Sequence, residues 1–402
     1  MANDQRRRRI LVTDGEQRAT LAVVRSLGAA GHTVLVSASR ARSLAGASRF
    51  AQSEHVVTSA LADPSRFTDD VAALVIQNGI DTVIPMTEPA LLALLPNRDR
   101  FVNVLIPFAN ADTFSAISDK QAVLDAAARV GIAIPAQTVL PDALAAASLD
   151  ATAIDYPVVV KPARSVSKGP GSPIKLSVSH ARSETELRSI LGSIDPRAYP
   201  LLLQQRITGP GVGIFALIWD GDLIAQFAHR RLREQPPSGG VSVYRESVPV
   251  DPELLCTSIA LLAEFGWQGV AMIEYKIDQR TGIPYLMEIN GRFWGSLQLA
   301  IDSGVDFPRL LIESASGCAP TPVTHFRTNV RSRWLWGEVD HLVARLRRSD
   351  ETLSLPPGSP SRWAATRQFF SRHPNDVTEV FRMADLRPFL RESMQWFQHL
   401  GK

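Results

Sequence analysis

The stretch GVAMIEYKIDQRTGIPYLMEINGRFWGSLQLAIDSGVDF, residues 269–307, decides how the rest of the chain is read. Residues 270–277 and 284–289 are apolar-rich and β-prone, and residues 278–282 between them are turn chemistry. Side chains alternate faces along a strand, so Met272, Glu274 and Lys276 share one face of the first strand. Leu286, Glu288 and Asn290 share one face of the second. A hairpin closing around Arg280 and Thr281 sets Glu274 roughly opposite Glu288. Like charges facing each other across a strand pair destabilise it, and a cation between them would remove that penalty.

Two carboxylates and the amide oxygen of Asn290 are all oxygen donors, which suit Mg²⁺ or Mn²⁺ rather than zinc. Magnesium usually takes one or two carboxylates and completes its shell with water and phosphates. Arg292 follows at once, set to meet the same anions. An edge hairpin with two solvated glutamates is the bland alternative. Against it, the run Glu-Ile-Asn-Gly-Arg (288–292) gathers the polar groups of a metal–phosphate site within apolar sequence.

The chain has 402 residues, enough for two to four structural units. Hydrophobic content of 45% and charged content of 21% are ordinary for a soluble globular protein. No apolar run approaches the ~18 residues of a membrane span. Arg6 to Arg9 precede only three apolar residues before Thr13, Asp14, Gly15 and Glu16, so no signal-peptide core is expected. The net charge of +3 is compatible with nucleotide or other anionic substrates. No basic stripe interleaved with aromatics points to nucleic acid. Cys256 and Cys318 are isolated and fit no metal spacing, which suits a reducing cytoplasm.

Residues 9–39 read strand–helix–strand, the opening of a Rossmann-like parallel sheet. The dinucleotide fingerprint is absent, because Asp14, Gly15 and Glu16 follow the first strand. Thr87 and Glu88 come directly after the buried strand DTVIPM, at the sheet edge where α/β folds place ligands. Glu88 reads equally well as a charge at a helix N-terminus. Ser118 or Asp119 can cap a helix that contains Lys120 and ends at Gly131. In YPVVVKP (156–162) a buried strand ends on Lys161, which is costly to bury unless an anion such as phosphate meets it. The segment SVSKGPGS (165–172), with Lys168, Gly169 and Gly171, is a small, polar loop able to offer backbone N–H groups to phosphates. Farther on, His229, Arg231 and Arg233 fall on one strand face before Pro-Pro and Gly-Gly, suggesting an anion site under a mobile loop.

Glu274, Glu288, Asn290 and Arg292 match, position by position, the metal-binding end of the ATP-grasp superfamily. The resemblance is to its carboxylate–amine ligase and carbamoyl-phosphate-synthase-like branch, and it covers roughly the first 317 residues. It implies an α/β chain, α+β in its core lobes, made of a Rossmann-like domain (1–112), an ATP-grasp N-terminal lobe (113–199) and a C-terminal lobe with the metal site (200–317). Beyond the resemblance, the helical run from Glu338 to Arg348 and a terminal helical segment suggest a mostly helical accessory region (318–402). By resemblance Lys120 and Lys161 hold ATP phosphates, and the loop with Lys168, Gly169 and Gly171 is the lid. Gln204, Gln205, Arg206 and Ile207 form the linker where adenine stacks. The family often has glutamate at Gln204 or Gln205, so which side chain reads adenine stays open. Arg231 and Arg292 act on the terminal phosphates or the acyl-phosphate, and Glu274, Glu288 and Asn290 hold Mg²⁺ or Mn²⁺. The implied reaction activates a substrate carboxylate with ATP as an acyl-phosphate and joins it to an amine, releasing ADP and phosphate. A carboxyphosphate-forming carboxylase or carbamoylating enzyme, or a non-catalytic nucleotide-binding regulator, are the rivals. Small-molecule substrates, a cytoplasmic location and no nucleic-acid or membrane partner are expected, and a homodimer is left open.

Overall fold

The computed structural model describes residues 7–167, 172–355 and 358–400. Four short strands, β1 (Arg9–Val12), β2 (Thr33–Ala38), β3 (Ala51–Val56) and β4 (Thr82–Ile84), pair in parallel in the order β3-β2-β1-β4. β2 and β4 are buried along their whole length, the near-continuous apolar reading of a sheet covered on both faces. The helix Arg18–Ala29 carries the chain from β1 to β2 and buries Leu21, Val23, Val24 and Leu27. The helix Pro64–Asn78 leads to β4. Asp63 caps it by accepting from the Arg66 N–H, and Gly79 stops it at φ 58°, a left-handed conformation that favours glycine.

The second sheet is antiparallel. It comprises β5 (Gln137–Leu140), β6 (Val158–Pro162), β7 (Ser179–Ala181) and β8 (Leu201–Gln205), in the order β5-β8-β6-β7. Leu201 and Leu203 join Val158, Val160 and Leu187 in a small core of its own. Leu202, out of phase with them, turns to the other face and joins the main core. The division expected between residues 199 and 200 falls in front of β8, which is bonded to β5 and β6. This sheet therefore runs on to Gln205.

The third sheet holds β9 (Gly211–Trp219), β10 (Asp222–Gln235), β11 (Val241–Ser247), β12 (Gly269–Ile277), β13 (Pro284–Asn290), β14 (Arg331–Arg333) and β15 (Asp376–Thr378). Its order is β13-β12-β9-β10-β11-β14-β15, antiparallel except for the β14–β15 pair. The region after residue 317 is helical over Leu335–Arg347, Arg362–Phe370 and Arg387–Leu400, but it also supplies the last two strands of this sheet. One continuous core joins Ile10 and Val12 of the parallel sheet to Phe215, Phe227 and Ile273 of the large one. The small sheet stands apart on its own core, and a cleft lies between it and the large sheet.

Candidate active site

The β12–β13 hairpin sets Glu274 opposite Glu288 and Met272 opposite Asn290. Beyond that point the register slips, so that Tyr275 pairs with Leu286 and Met287 is the extra residue of a β-bulge. Lys161, near the end of β6, donates from Nζ to the Met287 carbonyl at 2.8 Å and lies 3.8 Å from Glu288 Oε2. One ammonium thus spans from the small sheet to the large one.

A row of register partners crosses the large sheet from Glu288 through Glu274 and Gly213 to His229. Gly211 and Gly213 leave this face of β9 bare. Across that gap Arg231 reaches from β10 to Glu274 at 2.5 Å, and it also pairs with Glu234 at 2.8 Å. A Cβ on Gly211 would stand 2.9 Å from the Arg231 Cδ, so the glycine is what admits the arginine. Arg233 does not share this face, contrary to the strict alternation expected for His229, Arg231 and Arg233. The register of β10 against β11 slips between Arg231 and Arg233, which turns Arg233 away from the cleft. It bonds Glu338 from Nε at 2.7 Å and stacks over the Tyr244 ring at 4.3 Å.

The two facing carboxylates titrate in opposite directions. Burial pushes Glu288 up, but Lys161, Lys120, the hydrogen bond from Asn290 and Arg292 together hold it down at about 2. Burial raises Glu274, Arg231 opposes the rise and Glu288 adds to it, leaving the carboxyl above its ordinary value. Asn290 donates to Glu288 at 3.1 Å, and Arg292 donates to Asn290 Oδ1 at 3.0 Å and to the Phe293 carbonyl at 2.9 Å. Among the described residues no group of three or more His, Cys, Asp or Glu side chains gathers as metal ligands. Glu274, Glu288 and the amide oxygen of Asn290 nevertheless make a donor set that would fit a hard cation such as Mg²⁺.

These groups line a cleft of about 550 Å³, together with Gln204, Gln205, Arg206 and Ile207 from the end of the small sheet. Gln204 is buried and spends its amide N–H on Gln137 Oε1 at 2.9 Å, while Arg206 donates to the Ser354 carbonyl at 2.6 Å. Lys120 begins the helix Lys120–Arg129, which Asp119 caps by accepting from Gln121 and Ala122 N–H. Its ammonium is buried outside the lining of this cleft and donates to Ser165 Oγ at 2.8 Å. Burial lowers its pKa against the pull of Glu288. Lys168, Gly169 and Gly171 lie outside the described residues.

A second hollow of about 540 Å³ adjoins the first, between the carboxyl edge of the parallel sheet and the hairpin. Glu288, Asn290, Arg292 and Gly295 line both. Its far wall carries Asp14, Thr87 and Glu88. Thr87 donates to Asp14 at 2.9 Å and caps the helix Glu88–Leu94. Burial raises the Glu88 carboxyl, opposed by Lys120 and Arg292. Sequence reasoning passed over Asp14, Glu234 and the two β9 glycines. Asp14 sits at the end of a parallel strand, where ligands gather, and the Gly-Val-Gly run at 211–213 marked a close approach.

Residues 197–337 match the family model described as ATP-grasp in the biosynthetic pathway with Ter operon. No curated protein sequence matches the chain significantly. Among solved structures, the biotin carboxylase domain of Hydrogenobacter thermophilus 2-oxoglutarate carboxylase, with MgADP, ADP and bicarbonate, superposes with a TM-score of 0.61. It is 17% identical, over 81% of this chain and 73% of that one. The L-amino acid ligase of Bacillus licheniformis gives 0.60 at 17% identity, over 77% of this chain and 75% of its own. An ADP complex of N5-carboxyaminoimidazole ribonucleotide synthetase gives 0.61 at 15% identity, over 84% of this chain and 85% of its own. At such identities the likeness speaks for the fold, which this chain shares with ATP-grasp enzymes, and the family-model match assigns residues 197–337 to the ATP-grasp superfamily.

Proposed function

We propose that the chain is an ATP-dependent ligase that activates a small carboxylate as an acyl-phosphate and joins it to an amine, releasing ADP and phosphate. The observation that carries this reading is the meeting of two hollows at Glu288, Asn290 and Arg292. A nucleotide in the first and a carboxylate in the second would bring the γ-phosphate and the carboxylate oxygen to the same three side chains. A divalent cation, when bound, would neutralise phosphate charge during in-line transfer. Glu274, Glu288 and Asn290 are the residues to hold it. Lys161 and Lys120 supply fixed positive charge, and Arg292 stabilises charge developing on the phosphoryl or acyl group. Arg231, now paired with Glu274 and Glu234, would be released toward the phosphate if Glu274 held a cation. Gln204 to Ile207 offer backbone groups to adenine.

In the first step the carboxylate oxygen attacks the γ-phosphorus and ADP departs with the broken bond's electrons. In the second the amine nitrogen attacks the acyl carbon, phosphate departs, and the nitrogen loses its extra proton to phosphate or solvent. The likeness to biotin carboxylase domains supports a second reading, in which bicarbonate is the carboxylate and carboxyphosphate the intermediate. The test is ADP release from purified protein with Mg²⁺ and ATP, against a pool of amino acids and small carboxylates, with Glu288→Ala beside it. Release stimulated by the pool in the native protein and lost in the variant is the expected result. Stimulation by bicarbonate alone would favour carboxyphosphate, and no MgATP binding at all would sink both readings.

A further inference from the structure

The helix Arg362–Phe370 turns two large rings outward. Trp363 is 85% exposed and Phe370 72%, while Ala365 is the residue it buries. Seven residues, close to two turns, separate the rings, so they project from one side of the helix roughly 10 Å apart along its axis. The helix is held at both ends. Ser361 caps its start by accepting from the Ala364 N–H, and Arg333 of β14 donates to the Phe369 and Ser371 carbonyls at 3.2 and 2.7 Å. Apolar side chains fixed in water in this way mark an interaction surface.

The surroundings of the rings are basic. Arg362 and Arg367 lie on the same helix, and Arg372 follows it. Arg347 and Arg348 stand at the end of the helix Leu335–Arg347, beside Leu346, which is 46% exposed. Arg362 joins the two groups by donating to the Arg348 carbonyl at 3.1 Å. All five arginines are exposed, and among the described residues none forms an ion pair. The nearby carboxylates are engaged elsewhere, Asp350 by Arg345 at 3.0 Å and Asp376 by Arg333 at 3.3 Å and Tyr244 at 2.7 Å. Glu351 sits toward the small sheet, where Arg182 donates to its carbonyl at 2.9 Å. Positive charge around protruding rings calls for a partner with an apolar layer beneath an anionic surface. Rings on a convex helix face also suit a flat partner. The nine residues span roughly 14 Å, against about 30 Å of bilayer hydrocarbon, so the contact is with a surface and is not a crossing.

We propose that this face docks on an anionic lipid surface, with Trp363, Phe370 and Leu346 in the headgroup layer and the five arginines on the lipid anions. The expectation of no membrane partner came from the lack of a spanning run, which does not bear on a peripheral contact. The patch hangs on β14, toward the edge of the large sheet opposite the metal hairpin, and the proposal is independent of the ligase reading. The test sediments the purified full chain with vesicles of phosphatidylcholine, alone or mixed with phosphatidylserine. Partition onto the anionic vesicles is expected to be at least about tenfold stronger, and to weaken as salt rises. Trp363→Ser with Phe370→Ser, and separately Arg362→Gln with Arg367→Gln, each lower it about tenfold or more. These four side chains are exposed, so thermal midpoints and MgATP affinity stay at the native values. Trp363→Phe keeps an apolar ring and most of the binding, but removes the blue shift of tryptophan emission that the native protein shows on anionic vesicles. Equal partition onto both kinds of vesicle, no partition, or variants that bind like the native protein would overturn the proposal. Capture of an oligonucleotide or of polyglutamate in place of vesicles, lost in the same variants, would overturn the lipid assignment as well.

Discussion

Glu392 accepts from the Trp334 indole N–H at 2.8 Å through Oε1, while its buried Oε2 has no protein partner. Burial pushes its carboxyl from the ordinary 4.5 up to about 7, with Trp334 and Arg18 pulling the other way. Below the lower value both folded and unfolded chains hold the proton, and above the higher one neither does. Between them only the folded chain holds it, so stability falls as pH rises through that window. The loss reaches up to roughly 3 kcal/mol, at ~1.4 kcal/mol for each pH unit between the two titrations. Glu392→Gln keeps an oxygen for the indole and does not ionise. Its thermal midpoint should vary less than that of the native protein between about pH 5 and pH 8, and parallel curves would refute this. At the same scale, the facing of Glu274 and Glu288 was legible, because the two-residue period and the turn at 278–282 determine it. The salt bridge from Arg231 to Glu274 was not, because it joins strands whose adjacency only the folded sheet provides.

β9 lies between the strand of Glu274 and the strand of His229, and its bare glycines decide what can cross it. A Cβ on Gly213 would come within 2.6 Å of the Phe215 ring and 2.9 Å of the His229 ring. Both rings are buried and Phe215 also carries Trp294, so neither can simply swing away. Gly213→Ala is expected to destabilise the protein by about 1–3 kcal/mol, the usual cost of overpacking. It should also weaken MgATP binding, since β9 is the neighbour of β12 in the sheet. Denaturant midpoints and calorimetric titration would check the two effects, and a variant as stable as the native protein would refute the packing argument. The hairpin itself was readable from alternation and turn residues. The bulges at Met287 and beside Arg233 were not, because an extra residue in a strand leaves no compositional mark. One of them hands a carbonyl to Lys161 and the other removes Arg233 from the cleft.

Across the whole molecule, the segment after residue 317 closes the large sheet and fastens it to the helix behind the parallel one. Its strands β14 and β15 have three residues each, too few for any sequence period to show, so only the helical run from Glu338 to Arg348 and the terminal helix were legible. Glu379, just past β15, is 3% exposed and pairs with the fully buried Arg245 of β11 and, at 2.5 Å, with Arg18 of the helix Arg18–Ala29. Six residues on, Asp385 meets Arg25 of the same helix at 2.9 Å. A carboxylate holding two arginines from different layers is a joint of the entire fold. Removing it leaves Arg245 as an uncompensated charge without access to water, which costs about 3–5 kcal/mol for a broken buried pair. The exposed i,i+4 pair of Arg309 and Glu313 supplies the contrast. Arg309→Ala should cost no more than about 0.5 kcal/mol. Glu379→Ala is therefore expected to lower the denaturant midpoint far more than Arg309→Ala, and similar losses from both would show that the C-terminal segment only rests against the core.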